Sequence, residues 1–505
     1  MKDKKLLIGL NVGDTGVIGD SEKHALVAEN GKNVDFYVCH MDAMRHPMPE
    51  AIEQAKTVSE KLAAKGIEFI ANFEWQNGHS PALGPDGYDW AGREDGTHRL
   101  RLPEEYVSAL KSGGTYVGMI YDEFEHVIIN NNAAISRRTK GKVRVSAFPH
   151  ARTGGALEQG RLLDRQLGEY LSELREAGVE NIASEHVFPV LYHLFAKNGI
   201  IPNFKSQKES YTTVQFALAA GAALQYGMPL FNCIDLWFMD FFPGHSASEM
   251  EANLEFAYLA GVNRVYVENA SPMVKDGKLT DYGEAFYRFS SAHKGRERAY
   301  DIEDYTPETG IIRFDDTHWG ASGILWKKIL FGNKRLRPSR ASREYIRVFH
   351  LLTHGETNKN GINWGRLTLW SLKKHRSFSS MNNAAVFDET VGRKTLESLK
   401  TVFLTGEYIS PETLSDVEAL VRENGLTAVT TKRFLPKRLL PQKKSGVTEI
   451  ADGKGKWIVT PGFLRPALRK KLCSVLGNKG EIRLTFGKNE VCLKISEDGN
   501  GFTRK

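Results

Sequence analysis

A chain of 505 residues is longer than one hydrophobic core usually organises, so two or three domains are expected. Hydrophobic residues make up 41% and charged residues 26%, which excludes a disordered or fibrous chain. The net charge of +7 is spread over 68 basic and 61 acidic residues, and the densest basic stretch, with Lys327, Lys328, Lys334, Arg335 and Arg337, reads as a solvated face and not as a nucleic-acid site.

The basic start followed by Leu6–Leu10 breaks at Asn11 and Gly13, too soon for a signal peptide, and reads as a first strand. The expected location is therefore cytoplasmic, or secreted or periplasmic if a signal peptide has been removed. No stretch approaches the roughly 20 apolar residues of a membrane span. Cys39, Cys233, Cys473 and Cys492 lack paired or metal-ligand spacing and read as buried thiols.

From Leu6 onward, short β-branched or aromatic runs alternate with longer helical segments, the signature of βα units and a parallel sheet. Strands are predicted at Leu6–Val12, Asp35–His40, Ile67–Trp75, Tyr116–Glu123, Asn181–His186, Ile200–Ser206, Leu230–Asp235 and Arg264–Asn269. Eight such units within about 270 residues fit a (β/α)8 barrel. Met48–Lys65, Leu157–Ala177, Tyr211–Tyr226 and Ser248–Ala260 have helical spacing, and each stops at a glycine: Gly66, Gly178, Gly227 and Gly261. Two long interruptions, Gln76–Arg101 and His126–Thr153, follow the third and fourth strands, on the side where barrel enzymes carry their sites.

Beyond residue 270 a region rich in Trp, His and Asp runs to about residue 375 and reads as barrel-closing helices with embellishments. Strands at Ala384–Phe387, Thr401–Leu404, Leu426–Thr430 and Trp457–Thr460, with helices at Pro411–Asn424 and Phe463–Leu476, then predict a smaller α/β domain. Glu481–Phe486 and Val491–Ile495 read as a β-hairpin. The predicted organisation is a barrel over 1–375, an α/β domain over 376–478 and a small β element over 479–505.

Acidic residues gather where these strands end. Strand four closes on Tyr121-Asp122-Glu123-Phe124-Glu125, and the other ends supply Glu74 beside Trp75, Glu185 beside His186, Asp235 ahead of Trp237, and Glu268. Carboxylates are expensive to bury, so this concentration at one mouth points to chemistry. Two facing carboxylates can divide labour, one protonating a leaving oxygen while the other acts as nucleophile or as base toward water, as in glycoside hydrolysis. Trp75, Tyr88, Trp90 and Trp237 offer faces on which a sugar ring stacks. Lys205 and Lys208 on strand six can bind an anionic sugar or pair with neighbouring acids, and pairing is the simpler reading. Asp235 and Glu209 also suit ordinary capping or ion-pair roles.

The Tyr-Asp-Glu ending of strand four resembles the Asp-Glu or Asn-Glu at that position in barrel glycoside hydrolases, where the Glu is the general acid/base. The whole chain is similar in build to the β-galactosidase-like families such as family 42, in which a barrel precedes a flavodoxin-like, amidotransferase-like domain and a small β-domain. The segment Val402-Phe403-Leu404-Thr405-Gly406-Glu407-Tyr408-Ile409-Ser410, followed by Val417–Asn424 and Gly425, resembles the strand, loop and helix of that second domain. The resemblance implies an oligosaccharide or polysaccharide substrate and leaves room for a homo-oligomer. Two departures stand out: Asp122 replaces the usual Asn, and strand seven ends in Asp235 where a Glu is expected.

The resemblance therefore makes Glu123 the acid/base and leaves the second carboxylate open among Glu268, Glu185 and Asp235. Asp122, Glu74, Trp75, His186, Lys205 and Trp237 would shape the substrate site. Gly113-Gly114 and Gly154-Gly155 lack the context of a nucleotide loop, and neither His-Glu-x-x-His nor Gly-x-Ser-x-Gly occurs. No cofactor is expected. Two alternatives remain: a metal-dependent barrel lyase, isomerase or hydrolase with ligands among His40, Asp42, His126, His186 and the carboxylates, and a non-catalytic glycan-binding protein. His245 precedes a helix that Ser246 or Ser248 would cap.

Overall fold

The computed structural model describes residues 4–14, 32–41, 48–73, 102–130, 148, 150–208, 210–237, 243–268, 270–320, 329–361, 375–443 and 445–505. Eight strands close into a parallel barrel in chain order: β1 (Leu7–Asp14), β2 (Phe36–His40), β3 (Glu68–Asn72), β4 (Tyr116–Tyr121), β5 (Ile182–His186), β6 (Ile201–Ser206), β7 (Phe231–Asp235) and β8 (Arg264–Glu268). The eight predicted strands are these, each shifted or trimmed by up to three residues at an end.

Side chains alternate in and out along a strand, so one phase of each strand fills the barrel. Phe36, Val38, Ile70, Ile120, Ala183, Ile201, Phe231, Cys233 and Tyr266 form that interior as a separate buried cluster. Burying each large member of such a layer stabilises by about 2 kcal/mol. Gly9 is part of the same fit, because a Cβ there would lie 2.4 Å from the Phe36 ring. The opposite phase packs on the helices, which include α1 (Met48–Ala64), α2 (Glu104–Lys111), α3 (Phe124–Asn130), α4 (Ala156–Glu176), α5 (Tyr192–Lys197), α6 (Thr212–Tyr226), α7 (Ala247–Leu259) and α8 (Asp281–His293).

A second sheet is built from β9 (Thr309–Arg313), β10 (Ala384–Asp388), β11 (Thr401–Leu404), β12 (Thr427–Thr430), β13 (Thr448–Asp452) and β14 (Gly455–Val459). Its order is β10-β9-β11-β12-β14-β13, parallel except for the antiparallel pair β13 and β14. The five parallel strands follow the flavodoxin-like 2-1-3-4-5 order, with β13 added as an antiparallel edge strand. Its first strand, β9, comes from the Trp-, His- and Asp-rich stretch ahead of residue 376, where the sequence shows no alternation to mark it. Phe463–Leu476 is broken into two short helices, Pro466–Lys471 and Cys473–Leu476. At the C-terminus β15 (Glu481–Phe486), β16 (Asn489–Ile495) and β17 (Phe502–Arg504) form a sheet with Met381–Asn382.

Helix α6 explains how barrel and second sheet join. It is buried through every position from Thr212 to Ala223, as its apolar circumference requires of a helix covered on both sides. One side packs on the barrel and the other on β10, so closely that a Cβ at Gly221 would sit 1.6 Å from the Val386 carbonyl oxygen. At the end of the helix, Gln225 Nε2 donates to Asp388 Oδ1 at 2.5 Å and Tyr226 also donates to Asp388. Cys39 and Cys233 are buried thiols, whereas Cys473 is exposed and Cys492 half-buried. Among the described residues no helix is long and apolar enough to cross a membrane.

Candidate active site at the barrel mouth

Two residues beyond the apolar interior layer, the inward phase turns polar on every strand. Asn11, His40, Asn72, Asp122, Glu185, Asp235 and Glu268 stand there, each in or just past its strand, and on β6 Asn203 and then Lys205 take the inward positions. The alternation that makes the core thus delivers a ring of chemistry at the C-terminal end of the barrel, where the strands stop and the loops begin.

Lys205 stands at the centre of this ring. Its Nζ lies 2.9 Å from Glu268 Oε2, 3.0 Å from Glu185 Oε2, 3.1 Å from Asp122 Oδ1, 3.5 Å from Asp235 Oδ2 and 3.8 Å from Glu123 Oε1. Five carboxylates therefore share one ammonium group. Burial alone would lower the lysine pKa, but Asp122, Glu268, Glu185 and Asp235 overcome it and hold the pKa well above its ordinary value. A lysine kept charged in this way is an electrostatic anchor, not an amine nucleophile.

The carboxyls are not equivalent. Burial opposes ionisation of Asp122, yet Lys205, His40 and the Asn72 amide keep its pKa below the ordinary carboxylate value. Asn72 Nδ2 donates to Asp122 Oδ2 at 3.2 Å, and the Asn11 amide lies 2.9 Å from His40 Nε2. Burial lifts Glu268 to about 7 even with Lys205 beside it. Glu185 is pushed well above its ordinary value by burial and then by the Asp122 charge. Tyr266 donates to Glu185 and accepts from Asn203 Nδ2 at 2.8 Å. Protonated and ionised carboxyls thus coexist at one mouth near neutral pH, the condition for dividing acid and base roles.

Depth separates them further. The Glu185 side chain is 0% exposed, Asp122 and Lys205 2%, Asp235 and Glu268 8%, and Glu123 17%. Glu123 owes its outlying position to the turn after β4, where its backbone takes the left-handed φ of 53°. Asp235 Oδ1 accepts the Trp237 N–H at 2.6 Å, and the Trp237 ring is 44% exposed at the mouth.

Of the residues singled out from sequence, Asp122, Glu123, Glu185, Lys205, Asp235 and Glu268 come together here, with Trp237 beside them. His186 does not join them. It takes the outward phase of β5, stacks on Tyr192 with centroids 3.9 Å apart, and bonds its own Ser184 carbonyl through Nδ1 at 2.9 Å. Glu74, Trp75, Tyr88, Trp90, Asp42 and Glu209 lie outside the described residues, as does the His126 side chain. Lys208 is turned to Glu249, 2.7 Å away, and Ser246 caps α7 in a capping box with Glu249. Asn11, Asn72, Asn203 and Tyr266 escaped the sequence reading. Counting in twos from the apolar inward positions would have found them.

Among the described residues, two groups bring metal-ligating atoms within 4.8 Å of one another: His40, Asp122 and Glu268, and Glu185, Cys233 and Glu268. Both include carboxyls that the Lys205 ammonium already contacts at 2.9–3.1 Å. The donor set therefore fits a lysine-centred ion cluster better than a divalent cation, which that ammonium would repel.

No family model matches the chain, and no curated protein matches it by sequence. Among solved structures, Gan42B, a GH42 beta-galactosidase, superposes with a TM-score of 0.58 at 10% identity, over 97% of this chain and 92% of that one. A GH5_18 protein from Bifidobacterium longum subsp. longum, in complex with Manβ1-4GlcNAc, gives a TM-score of 0.40 at 12% identity over 61% of this chain and 82% of that one. Dihydropteroate synthase from Stenotrophomonas maltophilia gives 0.29 at 14% identity, over 58% and 94%. The first likeness shows the fold: the whole build, barrel and appended sheets together, is similar to that of a GH42 enzyme. The other two overlap too loosely to weigh on function.

Proposed function

We propose that the chain is a glycoside hydrolase that cleaves a glycosidic bond of an oligosaccharide or polysaccharide with two carboxylates at the barrel mouth. Glu123 is the general acid/base and Glu268 the second carboxylate. The observation that carries this reading is the meeting of β4 and β8, which stand opposite each other in the ring, at a single ammonium: Glu123 at 3.8 Å and Glu268 at 2.9 Å from Lys205 Nζ. A scissile bond lying across the mouth would have one carboxyl on each side, as both retaining and inverting hydrolysis require. The whole-chain likeness to a GH42 fold supports the assignment as analogy.

The remaining acids take supporting parts. Glu185, fully buried and held by Tyr266, is too deep to touch a sugar and supports the Lys205 ammonium from below, while Asp122 balances its charge. Asp235 fixes the Trp237 backbone and with it an exposed indole on which a sugar ring stacks.

Reducing-sugar release from a broad panel of polysaccharides and aryl glycosides tests this, with wild type compared to Glu123→Gln and to chelator-treated enzyme. Turnover by the wild type that survives chelation and falls at least about a hundredfold in Glu123→Gln is the expected result. Turnover indifferent to Glu123, or lost on chelation, sinks the assignment. Oligosaccharide binding without turnover would mark a glycan-binding protein instead.

A further inference from the structure

The turn after β4 contains one acid that the proposed reaction does not use. Glu125, two residues past Glu123, is fully buried on the first turn of α3. Its Oε1 accepts the backbone N–H groups of Val187 at 2.8 Å and Phe188 at 2.9 Å. Those amides open the loop that follows β5. Burial pushes the Glu125 carboxyl well above its ordinary value, and the backbone donors that converge on its one oxygen offset this only in part.

The same loop is also gripped from the second sheet, at its far end through Leu191 and at Phe188 itself. Asp315 Oδ2 accepts the Leu191 N–H at 2.5 Å, and the Trp319 ring stacks on Phe188 with centroids 4.5 Å apart and planes 21° from parallel. Asp315 and Trp319 sit in the loop leaving β9, which lies between β10 and β11 where the sheet order reverses. That place is the switch point, where sheets of this type present their functional loops. Both ends of the link carry unfavourable backbone: φ is 53° at Glu123 and 65° at Leu191, conformations that side-chain-bearing residues keep only where their surroundings hold them. On the far side of the turn, Phe124 stacks on Tyr121 at 4.7 Å and packs on Phe195 at 5.3 Å, so the turn is seated on one side by rings and on the other by Glu125.

We propose that Glu125 is a positioning residue for Glu123, and that the loop after β9 completes the clamp through residues 187–191, making the second domain part of the active site's support. The role assigned to Glu123 rests on the glycosidase reading above; the clamp itself does not.

The test uses the full chain with Glu125→Gln, Glu125→Leu, Trp319→Leu and the double variant Glu125→Leu/Trp319→Leu. It measures kcat and KM on an aryl glycoside that the wild type turns over, and amide hydrogen exchange at Val187 and Phe188 without substrate. Glutamine keeps an oxygen for both amides, so kcat should stay within about threefold of wild type. Leucine should lower kcat about tenfold or more with KM within about twofold, and should speed exchange at both amides. Trp319→Leu should reproduce that pattern more weakly, and the double variant should be little worse than Glu125→Leu alone, because both substitutions loosen one link. Losses that multiply independently, or a lowered melting temperature with kcat unchanged, would overturn the proposal. Should Glu125→Leu fail to fold, Trp319→Leu still decides, since unchanged exchange at Val187 and Phe188 refutes the clamp. A wild type that turns over no glycan defeats the glycosidase reading, and the exchange comparison then decides the clamp by itself.

Discussion

Replacing Lys205 by methionine removes one charge and little volume from the centre of the mouth. Five carboxyl oxygens lie 2.9–3.8 Å from its Nζ, and at an effective dielectric of about 20 each one that is ionised attracts it by about 4–6 kcal/mol before desolvation is counted. The net effect is smaller: deleting one partner of a buried ion pair costs about 3–5 kcal/mol. The acids left behind avoid that cost by taking up protons. Glu268, already at about 7 with the ammonium beside it, then moves higher and stays protonated across the neutral range. If ionised Glu268 is needed for turnover, 3 kcal/mol corresponds to a loss of more than about a hundredfold in kcat/KM at pH 7. The acid limb of the pH profile should shift to higher pH in the same variant. The assay is a pH series of kcat/KM on an aryl glycoside, with far-UV circular dichroism to confirm folding. Activity within about threefold of wild type and an unmoved acid limb would refute the view of Lys205 as the group that keeps these carboxylates ionised.

Glu268→Gln should abolish turnover while raising stability at alkaline pH. Burial lifts the folded pKa of Glu268 from 4.5 to about 7, so its contribution to stability is intact below 4.5 and is lost as the pH climbs through 7. At pH 8 the neutral amide should melt higher by up to about 3 kcal/mol of unfolding free energy, with the gap closing toward pH 4, and a gap independent of pH would contradict this account. Gly221→Ala, which drives a methyl group to within 1.6 Å of the Val386 carbonyl, should lower the denaturant midpoint by the equivalent of about 1–3 kcal/mol or more. An unchanged midpoint would mean that α6 and β10 are not tightly packed.

Much of the fold was legible because parallel barrel strands are short, continuous apolar runs separated by glycine-terminated helices. The run Ile200–Ser206 and the helix ending at Gly227 needed no partner to be recognised. Strand β9 is different: Thr309-Gly310-Ile311-Ile312-Arg313 is only five residues long, with a glycine inside, and it becomes a strand because Ala384–Asp388 and Thr401–Leu404 flank it from distant parts of the chain. A strand fixed by its neighbours leaves little trace in its own sequence. The acids were legible as a group and not as individuals. Glu185 and His186 are adjacent at one strand end, and a reading by strand end takes both for the site. The pleat then sends Glu185 to Lys205 and His186 into the helix layer.

Depth in the mouth decides what each acid can do. A two-carboxylate reaction needs two acids, yet five surround Lys205, and all five ionised beside one ammonium would repel one another across a few ångströms. The structure resolves this by grading burial from Glu185 at 0% exposure to Glu123 at 17%. Burial pushes the deepest acid, tied to Tyr266, toward its neutral form, while Lys205, His40 and Asn72 hold Asp122, almost as deep, toward its charged form, which balances the ammonium. The shallower acids, Glu123, Asp235 and Glu268, lie nearer the opening of the mouth. Lys205 is the reason the barrel can hold so many carboxylates at its axis, because its one positive charge lies within 3.8 Å of all five and offsets the repulsion among those that ionise.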